Sequence, residues 1–427
     1  MKIKTLVCVL VIFVFGISMQ YGIAGDFDWP RWRGPNGDGI SLETDWNPEA
    51  LDGDLNVIWK INIGIGCSNV VIRDSYLYTM GYEGIEDIVY CLNAETGKEV
   101  WRYSYESCLS AYGTQATPTI DEKYIYTLST EGMIFCLKLK NGKPRWKKDL
   151  SEYNAVKPHY GYAASPVVEG GLIILTSNTS GMVLDKKTGK MIWNSEKPPD
   201  KIDALWPKEA DGVDYSTPVI YDFGEKRYAL LSSWEGMHSV EITTGDVLWV
   251  FEWPLYHGSQ IPDPLFFNDK VFLAQVCYGH SSIGSLLLDV GGKEPRIIWE
   301  NMRFSSEMSS PILIDGYIYL STGGGRGVFG SVACLNVDTG ELMWEAGKNN
   351  WRPPSITVVD NKLIILDEKG TLRIAEATPT AYQEISSCDV LEGEKKGRNF
   401  WTPPVFCNGK IYCRNLFGDL VCIDVSK

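Results

Sequence analysis

The residues best suited to bond-making chemistry are few and scattered. Histidines number four, His159, His238, His257 and His280, and no two stand at a spacing that sets both imidazoles on one zinc ion. The eleven cysteines include no adjacent pair. A glycine run, Gly323-Gly324-Gly325, has the freedom of a phosphate cradle but lacks the lysine and helix that give such a loop its chemistry. What remains is the chemistry of contact. Tyr160, Tyr162, His257, Tyr278, Arg326, Trp351, Arg352 and Trp401 stand in loops rich in Tyr, Trp, Arg and Asn, residue types that concentrate interface energy. These eight are the candidate binding residues. The competing role for Tyr160, Tyr162, Trp351 and Trp401 is to plug the mouth of a channel.

The elements that hold these loops are legible from a repeat. Tryptophan recurs at Trp59, Trp101, Trp146, Trp193, Trp249, Trp299 and Trp344, at intervals of 42 to 56 residues, a period that signals a propeller or solenoid. Five of the seven follow a turn glycine by four residues, as in Gly97 to Trp101 and Gly340 to Trp344. The full unit reads LNAETGKEVW, LDKKTGKMIW and LNVDTGELMW at residues 92–101, 184–193 and 335–344. Thr-Gly supplies a tight turn between antiparallel strands. Ahead of it come a strand opened by proline (Pro118, Pro166, Pro218, Pro264, Pro311, Pro354, Pro404) and a second strand such as residues 316–322. Four strands per repeat make a propeller blade. The seven proline-opened units and one starting at Ser68-Asn69-Val70 predict an all-β, eight-bladed β-propeller with the tryptophans as structural docking residues. Residues 56–63 are predicted to complete the three-stranded last repeat and close the ring. Blade seven reads EATPTAYQEI at residues 376–385, with neither Gly nor Trp, and is expected to dock weakly.

This strand order sorts the loops onto two faces. The Thr-Gly turns share one face and are short. The other carries residues 107–116, 154–163, 209–216, 254–261, 349–353 and 397–401, with further loops at 82–87, 278–284 and 323–330. All eight candidate residues fall on or beside this decorated face.

The chain's address is read from its start. Lys2 and Lys4, an apolar run over residues 6–17 and small residues at Gly22, Ala24 and Gly25 predict a signal peptide over residues 1–25. The apolar run is shorter than the ~20 residues of a membrane span. An exported protein, periplasmic or extracellular, with no integral membrane segment after cleavage is expected, and a monomer. Residues 26–55 form an N-terminal extended segment ahead of the propeller, 56–427. Losing Lys2 and Lys4 takes the formal net charge from −14 to −16. Such a chain is poorly suited to nucleic acid or an anionic membrane without a local basic patch. None is expected, the nearest run, residues 392–398, being EGEKKGR, mixed in sign. Cys91, Cys136, Cys334 and Cys422 occupy the same place in four repeats, which reads as apolar packing rather than a disulfide framework.

With its Leu-Asp/Asn-x-x-Thr-Gly-x-x-x-Trp core, the repeat resembles the pyrroloquinoline-quinone-like propeller superfamily over roughly residues 56–427. That superfamily includes quinoprotein alcohol dehydrogenases and the non-catalytic outer-membrane assembly factor BamB. The segment WPRWRGPNGDGIS, residues 29–41, looks like the opening of secreted propellers common in planctomycete-type bacteria. For the dehydrogenases the resemblance implies a quinone, a calcium ligand set and a vicinal disulfide, none of which can be matched to a motif here. No cofactor, neither quinone nor calcium, is therefore expected. The reading is an exported BamB-like scaffold that binds another protein or an extended ligand through one propeller face. The alternative is a quinone-dependent or other small-molecule enzyme using the central funnel.

Overall fold

Proline fixes the entry of most inner strands, and in the computed structural model each inner strand lies at the edge of a blade of four antiparallel strands. The structure describes residues 27–108, 112–197, 215–233, 235–253, 261–275, 284–292, 294–306, 308–323, 329–390 and 400–427. The predicted signal peptide lies outside them. Blade one consists of Val71–Arg73, Tyr76–Glu83, Glu86–Asn93 and Glu99–Glu106. Six consecutive residues are buried in each of its two middle strands, because a blade is covered on both sides by its neighbours. The described residues form eight such sheets, and their one helical element is a single turn, Leu150–Tyr153.

Ring closure follows the predicted plan. Blade eight takes Val405–Cys407, Lys410–Arg414 and Asp419–Asp424 from the C-terminus and Val57–Asn62 from the N-terminus, with Trp59 opposite Cys422. At that seam the buried Arg414 guanidinium donates to the carbonyls of Gly64, Ser68 and Met80. Burial lowers its pKa to about 10.

Docking between blades rests on a bulge. Ile58, Val100, Arg145, Ile192, Leu248, Ile298 and Met343 are each the extra residue in an outer strand, immediately before the repeated tryptophan. A bulge bends the strand and re-aims the next side chain, here toward the following blade. There the indole N–H of Trp59 donates to the carbonyl of Ala94 at 2.9 Å, Trp101 to Leu139 at 3.0 Å and Trp193 to Ile242 at 2.9 Å. Each ring also lies on the turn glycine of that blade: Trp59 on Gly97, Trp101 on Gly142, Trp146 on Gly189, Trp193 on Gly245 and Trp299 on Gly340. The four-residue spacing therefore joins two different contacts. A turn glycine receives the tryptophan of the blade before it, and its own tryptophan serves the blade after it. Trp249 departs from this, since the next turn has no Thr-Gly and, among the described residues, its indole N–H donates to no backbone carbonyl.

Blade seven is not weakly docked, contrary to expectation. On its near side Trp344 still finds a carbonyl, Thr378, at 2.7 Å, and Tyr382 packs on the indole with centroids 5.8 Å apart. On its far side the bulge residue Ile385 is followed by Ser386 instead of tryptophan. The N-terminal segment fills the gap. Asn47 N–H donates at 2.7 Å to Val425 O, the carbonyl position that takes an indole N–H in other blades, and Trp46 is buried against Phe406. Ser386 Oγ donates to Pro48 O.

All nine described cysteines are free thiols. The four repeated ones are buried, and burial pushes the Cys91, Cys136, Cys334 and Cys422 thiols up to about 11 or 12. They fill small buried positions, as the sequence implied, and each also meets the hydroxyl of a neighbouring tyrosine, Tyr78, Tyr126, Tyr319 or Tyr412.

Candidate binding face

The inner strands enclose a central channel, and the chain's own N-terminal segment occupies it. Trp29 forms a bridge with Ile72 of blade one, Pro30 O accepts from Ile120 N–H of blade two, and Ile40–Ser41 pairs in parallel with Val358–Val359 of blade seven. Between these contacts Arg33 donates to Pro311 O of blade six, and Trp32 Nε1 donates to Asp263 Oδ2 at 2.7 Å. Arg33 and Asp263 are buried, with Nη1 and Oδ2 3.8 Å apart. Burial raises the Asp263 pKa, opposed by Arg33 and by the N–H groups it accepts. The cavity left around this plug, lined by Trp29, Trp32, Arg33, Asn69 and Ser310 among others, holds about 10 Å³.

A collar of hydrogen bonds rings the channel where the inner strands begin. The backbone N–H of Asn69 donates to Thr117 Oγ1 at 3.0 Å, Thr117 to Ser165 Oγ at 3.0 Å, and Ser165 to Thr217 Oγ1 at 3.1 Å. Thr217 continues to Asp263 Oδ1 at 2.8 Å and Asp263 to Ser310 Oγ at 2.9 Å. Each donor belongs to one blade and each acceptor to the next. The acceptors are the Ser, Thr or Asp that stands directly before five of the seven strand-opening prolines. Blades seven and eight carry Pro353 and Pro403 there, and Asn69 Nδ2 spans back to Pro403 O at 3.1 Å.

Above the collar an arc of aromatic rings stands on the decorated face. Tyr112 lies 5.7 Å from Tyr160 and 4.9 Å from Trp401, and Tyr160 lies 4.7 Å from His159 and 6.2 Å from Tyr215, centroid to centroid. Trp401 Nε1 is oriented by Glu368 Oε1 at 3.2 Å, and Tyr160 N–H donates to Tyr215 OH at 3.2 Å. Two predicted residues, Tyr160 and Trp401, thus come together. Tyr112 and Tyr215 were not singled out, although Tyr112 and Tyr160 each stand six residues before a strand-opening proline, and Tyr215 and Trp401 each three.

Other predicted positions do not join the arc. Tyr162 is buried and donates its hydroxyl to Val156 O at 3.0 Å, with its ring against Gly132. Trp351 packs between Tyr382 and the Arg373 guanidinium, and Arg352 lies over the Phe329 ring. For Tyr162 and Trp351 the packing role applies. His257, Tyr278 and Arg326, and with them His280, lie outside the described residues. His238 is a core residue with Ser233 Oγ 2.8 Å from Nε2, and burial lowers its pKa to about 4. Asp87, at the decorated end of blade one, is buried beside Ser107 and Tyr105, and burial raises its pKa to about 6.

The expectation that no basic patch exists is overturned on the opposite face. At the blade-two turn stand Lys138, Lys140, Lys143 and Arg145, and Lys147 and Lys148 follow in the middle of the outer strand Pro144–Asp149. The blade-three turn adds Lys186, Lys187 and Lys190, brought alongside by the Trp146 Nε1 bond to Lys186 O at 3.1 Å. Lys186 pairs with Asp121; among the described residues no carboxylate pairs with the other lysines of these two turns. The blade-two run was visible in sequence but divided between two strands of a repeat, so that its charge was not counted as a unit.

Comparison with known proteins accords with this architecture. Residues 85–346 match the family described as outer membrane protein assembly factor BamB. BamB from Moraxella catarrhalis has the same fold, with TM-score 0.57 at 15% identity over 87% of this chain and 98% of that one. So has quinohemoprotein alcohol dehydrogenase from Comamonas testosteroni, with TM-score 0.65 at 12% identity over 94% and 81%. A quinoprotein ethanol dehydrogenase from Pseudomonas putida is 24% identical over 35% of this chain, a match that spans 27% of that relative's length. The eight tryptophan-docked blades and the family match over residues 85–346 together identify the chain as a member of the BamB family of pyrroloquinoline-quinone-like propellers.

Proposed function

We propose that the protein is an exported, non-catalytic scaffold that grips another protein or an extended ligand through the aromatic arc of its decorated face. The observation that carries this reading is the channel plug. Residues 28–41 run through the propeller axis, and the pocket beside them at Trp32 and Arg33 holds about 10 Å³, against the ~300 Å³ or more of a small-molecule pocket; a cleft of about 400 Å³ lies off the axis, among the outer strands of blades three and four at Trp193, Asn194 and His238. The arc offers Tyr160, which is exposed, beside the half-buried Tyr112, Tyr215 and Trp401, and such rings present large, stiff contact area at low entropic cost.

A quinone-dependent enzyme is the second reading, favoured by the dehydrogenase relatives. Its cofactors find a poor fit among the described residues. Asp263, the buried carboxylate on the channel, is already engaged by Arg33, Trp32 and Thr217, and no three His, Cys, Asp or Glu side chains are grouped to hold a metal ion.

Partners co-purified from the native host with the intact chain provide the test. Tyr160→Ala with Trp401→Ala should weaken the captured partner by at least ~2 kcal/mol, the scale of interface anchors, with unchanged thermal stability. Retention of the partner by this variant, or a rise in melting temperature on adding quinone and calcium, would refute the scaffold reading.

A further inference from the structure

We infer that the turns of blades two and three, on the face opposite the aromatic arc, dock the protein on an anionic lipid bilayer. The chain as a whole is acidic, at −14, so a cluster of exposed lysines without carboxylate partners is a segregated charge, not a sample of the average surface. Lys140, Lys143, Lys147, Lys187 and Lys190 are all exposed. Lys140, Lys143, Lys187 and Lys190 stand in or beside two β-turns held side by side by the Trp146 indole and by Lys148, whose Cγ lies along Gly189, while Lys147 extends from the outer strand Pro144–Asp149. The charges are thus presented by a rigid base.

The composition of the cluster selects the partner. Protein interfaces are enriched in arginine and depleted in lysine, and bidentate recognition of single phosphates or carboxylates also favours arginine. Here Arg145 is the one arginine, and its guanidinium lies 4.6 Å from the Tyr124 ring centroid. Lysines acting as compact point charges suit a diffuse negative surface, where each contributes about equally so long as it lies within a Debye length of the membrane. Beside them, Met191 and Ile192 directly follow Lys190 and expose 43% and 45% of their surface. Basic residues next to exposed apolar side chains form the pattern that seats in the headgroup region. The remaining acidic surface does not oppose this. Beyond a Debye length of ~8 Å its repulsion is screened, so contact is governed by the turns that touch the membrane.

The test is sedimentation of the full chain with phosphatidylcholine vesicles, with and without about a third phosphatidylglycerol. Binding is expected to the anionic vesicles alone and to fall as salt rises. Joint substitution of Lys140, Lys143, Lys147 and Lys190 by serine removes roughly fivefold in partitioning per lysine, on the order of several hundredfold in all if the four act independently. All four are exposed, so an unchanged melting temperature is expected to certify the fold. Met191→Ser with Ile192→Ser should weaken binding while leaving its salt dependence intact. The arc variant Tyr160→Ala with Trp401→Ala should bind vesicles like the parent, which separates this surface from the proposed partner site. Equal binding to both vesicle types, no binding to either, or full binding by the four-serine variant overturns the inference. Retention on polyglutamate beads without vesicle binding would also overturn it, identifying an acidic protein as the partner.

Discussion

Gly142→Ala isolates the contact that repeats around the ring. Gly142 has φ +66°, and a Cβ there would stand 2.5 Å from Cε3 of Trp101 in the preceding blade. Two costs follow and can be separated. The left-handed backbone costs an alanine ~1–2 kcal/mol, and forcing a methyl group into a packed contact costs ~1–3 kcal/mol more. The single change is therefore expected to destabilise by ~2–5 kcal/mol. In a Trp101→Ala background, itself ~3–5 kcal/mol less stable, the steric part disappears and only the backbone part remains. Gly224→Ala gives that part alone, since Gly224 has φ +61° and nothing within 4 Å of the added Cβ. Urea unfolding of the four proteins of the cycle and the Gly224 control, followed by far-ultraviolet circular dichroism, yields a coupling energy expected at ~1–3 kcal/mol. If Gly142→Ala costs the same with and without Trp101, the indole does not dock on that glycine and the account of blade packing fails.

Two further outcomes can be measured on the same preparations. Deleting residues 420–427 removes most of the strand that pairs with Val57–Asn62 and should lower the melting temperature of the whole ring; a truncated protein that melts like the intact one would show that closure does not bear on stability. The Asp87 carboxyl, raised by burial from 3.8 to about 6, binds its proton more tightly in the folded protein than in the unfolded one. Its contribution is fully present below about pH 4 and lost as pH rises through about 6. Asp87→Asn should flatten that slope and gain up to ~3 kcal/mol relative to the parent at pH 7; an unchanged pH profile of stability would show that Asp87 titrates normally.

The sequence by itself determined the blade. Thr-Gly, the tryptophan four residues on and the strand-opening proline are local signals, each set by the backbone geometry of one turn or strand entry, and their period counted the repeats. Trp59 without a blade before it and a last repeat one strand short disclosed the closure, because unpaired strand edges need partners. Loop position alone put Tyr160 and Trp401 on one face, where their rings join the same arc. The same reasoning could not tell Tyr160, in the arc, from Tyr162, buried against Gly132 two residues away, since side-chain direction in a loop depends on what the loop packs against. Only the tertiary structure could decide which blade each tryptophan serves, because the bulge that re-aims it is a feature of strand pairing. The same holds for the N-terminal segment. Nothing local marks Trp46 and Asn47 as filling the docking place that blade seven leaves empty, or residues 28–41 as the channel plug. Their partners, Val425, Asp263 and Val358, lie hundreds of residues away and meet them only once the ring has closed.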